Sequence, residues 1–296
     1  MTLPLLLKHV TTLMTREGLS QGGLDHAPSG MHLLRYTQTT RQDATLYRPL
    51  LCLVLQGAKE VGTNTTTVRV GEGASLVVSH LLPVVSRITQ ATSDHPYVAL
   101  VFLLDMDLLR TLASETTPVR AGPSSSPFSI AVSPSDGEME AALLRYLVQS
   151  ESDNTRQLLA PITRREIHAR LLLGPQGEQL QRLLWHETTA SRIFQATRAI
   201  QSDLSSPIAV GDLAQRAAMS HSAFFEHFKA VTGTSPLQYQ KELRLLHARD
   251  ALRTTKDKVS EVAFRLGYES ASQFSRDYAR KFGCAPKQDR DLHSWQ

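Results

Sequence analysis

The chain has 296 residues, is 41% hydrophobic and carries a formal net charge of +4. That content suits a packed protein of about two domains and excludes a disordered chain. No apolar run reaches the ~18 residues of a membrane span, and the two cysteines, Cys52 and Cys284, have no metal-ligand spacing, so no membrane segment, disulfide framework or cysteine metal site is expected.

Taken from the start, residues 3–7 are apolar, but Lys8 and His9 interrupt them and no small-residue cleavage site follows. No signal peptide is expected, and a reducing cytoplasm is the simplest setting. Short apolar runs then alternate with turn residues at 31–36, 51–56, 65–70, 74–78, 83–88 and 97–103, punctuated by Gly57, Gly62, Asn64, Gly71 and Gly73. Such spacing predicts a compact β-barrel or sandwich over about 25–105. Residues 51–55 are nearly all apolar, as in a strand covered on both faces.

The pattern turns helical at about 106. Asp107, Leu108, Leu109 and Leu112 begin a short helix, and the Pro/Ser/Gly stretch 118–127 reads as a loop. Helices are predicted over 138–148, over 161–173 with Pro161 in the first turn, and from 176 to at least 184, with Gly174-Pro175 as a break. The stripes Leu143/Leu147 and Ile167/Leu171 have three possible partners: the barrel, each other, or a second subunit. The polar stretch near 187–192 is read as a linker between a first domain, 1–186, and an all-helical domain, 193–296.

Within the all-helical domain a single pattern occurs twice. Val210 corresponds to Val259, Leu213 to Val262, Ala214 to Ala263 and Met219 to Tyr268; after one inserted residue, Phe224 corresponds to Phe274, Phe228 to Tyr278, Gly233 to Gly283 and Pro236 to Pro286. Ser220 suits an N-cap and Gly233 a left-handed residue after the helix. The apolar and aromatic positions form two small cores. A long helix over 237–252 joins the units; at ~1.5 Å per residue it spans roughly 24 Å, which with its flanking turns sets the units near one DNA turn, about 34 Å, apart. Residues 191–296 hold 16 Lys+Arg against 11 Asp+Glu, so the positive excess sits with the repeat.

The faces left outward carry Ser222, Ala223, Phe225, Glu226 and Lys229 in the first unit, and Ala271, Ser272, Gln273, Ser275 and Arg276 in the second. Arg276 suits guanine O6 and N7, Gln273 suits adenine, and Phe225 suits thymine methyls. Arg244, Arg280 and Lys281 read as phosphate ligands, which position without specifying.

These runs, from Met219 through Leu252 and from Val259 through Pro286, resemble the DNA-binding domain of the AraC/XylS transcription regulators. The resemblance implies seven helices, two helix-turn-helix units and a rigid helix between them. It places base contacts on Ser222, Phe225, Glu226, Ala271, Ser272, Ser275 and Arg276. Three positions depart from that family's pattern: Glu226 stands where Arg is common, Ala279 where Lys is usual, and Asp289 where a closing Tyr is usual. A carboxylate at 226 repels phosphate but can accept from cytosine N4.

Residues 47–102, with the helical run 160–183, resemble the sensory domain of one subgroup, which includes regulators of aldehyde-reductase genes. A cupin-like barrel with dimerisation helices is what this implies. Metal-binding cupins cluster histidines with a carboxylate, whereas the barrel here offers His80 and His95 with no H-x-H and no Glu at the matching spacing, so neither a metal nor another cofactor is expected. No nucleophile triad, P-loop or dinucleotide motif is present, and no enzyme is expected. The interior reads as an effector pocket or a packed core. Arg35, Tyr47, Gln56, His80 and Arg87 are candidate polar groups, as is Cys52, read either as an inert buried thiol or as a reactive sensor.

The expectation is thus an α+β, two-domain, one-component regulator, an activator by preference. Its partners would be double-stranded DNA, a small-molecule effector, RNA polymerase and a second copy of itself. The alternative is an effector-independent DNA-binding protein whose barrel only dimerises.

Overall fold

The computed structural model of the protein describes residues 2–116, 129–184 and 188–293. Its first element is a helix, α1 (Leu3–Arg16), in which Leu6, Val10, Leu13 and Met14 share one face and are buried. Ten strands follow: β1 (Gly22–His26), β2 (Met31–Tyr36), β3 (Asp43–Tyr47), β4 (Leu50–Gln56), β5 (Ala58–Gly62), β6 (Thr67–Gly71), β7 (Ala74–Val78), β8 (Leu82–Gln90), β9 (Tyr97–Leu103) and, beyond the first helices, β10 (Ile130–Pro134). All six strands expected from the sequence form; α1, β1, β3, β5 and β10 are additional.

The strands make two antiparallel sheets, β1-β2-β9-β4-β7-β10 and β3-β8-β5-β6. β4 shows why its sequence is apolar throughout. Leu51, Leu53 and Leu55 face a helical layer, while Leu50, Cys52 and Val54 face the barrel interior. β9 does the same, with Val98, Leu100 and Phe102 on the helical side and Tyr97 and Ala99 inside. A strand buried on both faces loses the polar alternation of a half-exposed one.

The helical layer comprises α1, α2 (Met106–Ser114), α3 (Gly137–Ser150), α4 (Asp153–Leu158), α5 (Ala160–Leu173) and α6 (Gly177–Leu184). Asp105 caps α2 by accepting from the backbone of Asp107 and Leu108, and Asp136 caps α3 at Met139. The stripes with three possible partners pack within the chain: Leu143, Leu147, Ile167 and Leu171 all lie in the core beneath the larger sheet. The loop expected at 118–127 lies outside the described residues.

Seven helices complete the described chain: α7 (Thr189–Ser202), α8 (Val210–Arg216), α9 (His221–Thr232), α10 (Pro236–Thr254), α11 (Val259–Arg265), α12 (Ala271–Phe282) and α13 (Pro286–His293). Helix α7 begins inside the stretch read as a linker. The α8–α9 and α11–α12 pairs are the two helix-turn-helix units, with Phe224, Phe228 and Tyr239 in one core and Tyr268, Phe274 and Tyr278 in the other. Ser220 accepts from Ala223 N–H at 3.3 Å, and Gly233 closes α9 with φ +76°.

The equivalent turns differ in one residue. Gly267 takes φ +80° between α11 and α12; Ala218 takes φ +53° between α8 and α9. A left-handed conformation costs a residue bearing a Cβ about 1–2 kcal/mol, offset partly by the greater unfolded-state entropy of glycine. Ala218→Gly is therefore expected to raise stability by about 0.5–1 kcal/mol, read as a higher urea midpoint at an unchanged slope. The reciprocal change at Gly267 is barred, because a Cβ there would lie 1.9 Å from the Ser205 carbonyl oxygen.

Candidate DNA-reading face and barrel cavity

The residues assigned to DNA contact fall on the open sides of α9 and α12. Ser222, Glu226 and Lys229 are exposed on α9, with Ala223 and Phe225 half-buried. Ser272, Gln273, Arg276 and Arg280 are exposed on α12, with Ala271, Ser275 and Lys281 half-buried. Each face is held by its own capped helix: Ser270 accepts from the N–H groups of Ser272 and Gln273, and Ser220 from that of Ala223.

Two of the cations read as phosphate ligands have other work. Arg244 donates from Nε to the Leu204 carbonyl at 2.6 Å, and from its terminal nitrogens to the carbonyls of Ser205, Ser206 and Gly267. It ties the α7–α8 loop to the second turn, so its guanidinium is already engaged by four backbone carbonyls. Lys281 lies 3.6 Å from the buried carboxylate of Glu242. Arg280 keeps a 75% exposed side chain with only a 3.4 Å approach to Asp277.

The anomalous Asp289 is explained by its surroundings. Its side chain, 3% exposed, accepts from Tyr278 OH at 2.6 Å and from Arg249 Nε and Arg253 Nη2 at 2.9 Å. Burial alone would raise this carboxyl's pKa; the tyrosine hydroxyl and the two guanidiniums overcome that and hold it below the usual range.

Between the sheets lies a cavity of about 890 Å³. Of the candidate effector residues, Tyr47, Cys52 and Arg87 line it, and Arg35, Gln56 and His80 do not. Arg35 donates to the Ser20 carbonyl on the outer sheet edge, and Gln56 donates to the Pro96 carbonyl at 2.7 Å. His80 is fully buried, within 3.3 Å of Ser79 Oγ and 3.2 Å of Ser129 Oγ, with its ring edge to Phe194 of α7. Burial lowers its pKa to about 4, so it is neutral at neutral pH.

Among the cavity residues that the sequence reading did not name are Lys59 and Tyr97. Lys59, 4% exposed, donates from Nζ to Cys52 Sγ at 3.1 Å and to Tyr47 OH at 3.4 Å. Tyr97 is 1% exposed and its hydroxyl has no well-formed hydrogen bond among the described residues. No cation was legible beside Cys52 in sequence; the fold supplies one from the next strand.

The two domains meet at β3 and its neighbours. Arg249 of α10 donates to Asp43 at 2.5 Å and to the Ala44 carbonyl at 3.3 Å, Tyr239 OH donates to the Leu81 carbonyl, and Asn64 donates to Glu242 at 3.1 Å. β3 thus presents Tyr47 to the cavity while its first residues hold the helix that joins the two helix-turn-helix units. Asp250 of α10 stands at the cavity rim.

A two-sheet barrel with an open interior, carried on one chain with paired helix-turn-helix units, defines a DNA-binding transcription regulator. Residues 27–179 match the family model of the AraC-type transcriptional regulator N-terminus, and residues 213–291 match a helix-turn-helix domain model. The chain belongs to the AraC-type transcriptional regulators. It is 28% identical over 147 residues to the HTH-type transcriptional activator RhaS of Escherichia fergusonii, covering 49% of this chain and 52% of that protein. It is 28% identical over 119 residues to the HTH-type transcriptional regulator ArgR of Pseudomonas aeruginosa, covering 39% and 36%. The chain thus spans about half the length, or less, of these curated relatives. In fold it resembles apo ToxT from Vibrio cholerae, with a TM-score of 0.60 at 10% identity, covering 92% of this chain and 99% of that one.

Proposed function

We propose that the protein is a one-component transcription activator of the cytoplasm. A small molecule bound in the barrel biases how α10 is held and so how α9 and α12 meet two adjacent major grooves. The observation that carries this reading is the place of β3, which lines the cavity through Tyr47 and binds α10 through Asp43 and Ala44. A ligand that fits differently in two arrangements of β3 shifts the equilibrium between them. The alternative of a barrel that only dimerises is disfavoured by an open cavity of about 890 Å³, within the usual size of ligand pockets, ~300–1,000 Å³. RNA polymerase is the partner that activation requires. No helix among the described residues is long and apolar enough to cross a membrane.

Self-association is assigned to the outer side of α4 and α5. Leu158, Ile162 and Leu173 are 73%, 66% and 78% exposed there, while the opposite side of α5 is core.

The DNA assignment is tested at Arg276. The preferred site is selected from random duplexes with the full chain, and binding is then measured on it and on single-base variants. Arg276→Ala is expected to weaken the preferred site by about 1–3 kcal/mol and to relax one position. A loss of equal size on every sequence would reduce Arg276 to a phosphate contact.

A further inference from the structure

The barrel holds a buried cation with no carboxylate partner among the described residues. On β5 the residues alternate, so Lys59 and Val61 turn inward while Glu60 turns out to meet Arg87 at 2.7 Å. Lys59 Nζ reaches a thiol and phenol hydroxyls, those of Cys52, Tyr47 and the neighbouring Tyr97, and makes no ion pair among the described residues. The acids around the cavity are used or peripheral: Asp43 binds Arg249, Asp25 binds His32 Nδ1 at 2.7 Å, and Asp250 is exposed at the rim. An ammonium taken out of water and given no carboxylate among the described residues is costly, and such groups mark functional sites.

A second buried group points the same way. Tyr97 lines the same cavity, and its buried hydroxyl stands beside Lys59 without a well-formed hydrogen bond among the described residues. A buried donor left unmade is destabilising unless something enters to accept from it. Around these two groups the wall is apolar, formed by Leu34, Leu50, Ile88 and Val101. The exposed cations Arg41 and Arg48 also line the cavity, where they raise the local concentration of anions.

We infer that the barrel takes an organic acid with an apolar body, its carboxylate accepting from Lys59 Nζ and the Tyr97 hydroxyl and its body lying along Leu34, Ile88 and Val101. A single carboxylate supplies the missing charge and the missing acceptor together. This rests on the cavity being the effector site, and it names the chemistry of the effector.

The test is calorimetry on the full chain with octanoate and 3-phenylpropanoate, each paired with its neutral amide. The acids are expected to bind roughly 10- to 100-fold more tightly than the amides. Lys59→Met, which keeps the side-chain volume and drops the buried charge, is expected to abolish that preference. Tyr97→Phe leaves the ring in place and is expected to weaken the acids alone, which decides the matter should Lys59→Met fail to fold. Amides that bind as well as the acids, no binding by either acid, or an acid affinity unchanged in Lys59→Met would overturn the inference. DNA affinity is followed in parallel. Acids that bind through Lys59 without altering it leave this inference standing and remove the regulatory reading; an amide that alters it does the reverse.

Discussion

Asp289→Ala is expected to cost about 3–5 kcal/mol of stability, because it removes the acceptor shared by two guanidiniums and a tyrosine in a site closed to water. Tyr278 OH, Arg249 Nε and Arg253 Nη2 all donate to this one carboxylate, whose side chain is 3% exposed. Arg249 retains Asp43 after the change, but Tyr278 and Arg253 lose the acceptor seen here. Tyr278 belongs to α12, so the damage falls on the second recognition helix. The carboxyl is held below its unfolded pKa, so its contribution is present above about pH 4, the ordinary carboxylate value, and fades as pH falls through the lower folded value. Urea unfolding followed by far-UV circular dichroism at pH 7 gives the measurement. Asp43→Ala is the control, since that carboxylate is 60% exposed and its pair with Arg249 is worth no more than about 1 kcal/mol. Equal losses in the two variants would mean that Asp289 is not an anchor.

Asp289 also shows where sequence reading stops. As a letter it is a departure from a family pattern; as a side chain it is the acceptor for donors contributed by α10 and α12. The duplicated motif was legible because each unit is local: caps, aromatic spacing and the glycine after the helix all lie within about thirty residues. The strands were legible where alternation or continuous apolarity marked them. β5 was not, because its sequence Ala-Lys-Glu-Val-Gly carries two charges and reads as solvated. The signal was the parity of Lys59 with Val61, and it becomes decisive only with the register, which sets Lys59 opposite Ile88 on one side and Val70 on the other. Arg244 shows the opposite limit. A basic residue on an amphipathic helix beside a DNA-binding motif looks like a phosphate ligand, but its acceptors come from residues 204–206 and from Gly267, which only the packed fold brings to it. His80 likewise reads as a polar barrel residue until α7 covers it with Phe194. Helix α1 was within reach, since the spacing of Leu6, Val10, Leu13 and Met14 is helical; Lys8 and His9 lie on its other sides.

Leu171→Asp and Ile162→Asp, nine residues apart on one helix, should behave in opposite ways. Leu171 is 4% exposed in the core that joins α3, α5 and α6 to the larger sheet. Removing a buried leucine costs about 2–5 kcal/mol, and an unpaired carboxylate in apolar surroundings adds several more. The sum approaches the whole stability of an ordinary domain, about 5–15 kcal/mol. Leu171→Asp should therefore yield protein without native helical signal or with none in the soluble fraction, and not a folded monomer. Ile162 is 66% exposed, and its replacement should change stability by less than about 0.5 kcal/mol. If the outer side of α4 and α5 joins two copies, Ile162→Asp should keep the dichroism spectrum of the parent and halve its mass in light scattering. A folded, monomeric Leu171→Asp would return that stripe to the subunit interface; a folded Ile162→Asp with the parent's mass would remove the interface from this face. The contrast is informative because both substitutions add the same charge to the same helix. Only the direction of the side chain differs, and with it whether the carboxylate meets water or leucine.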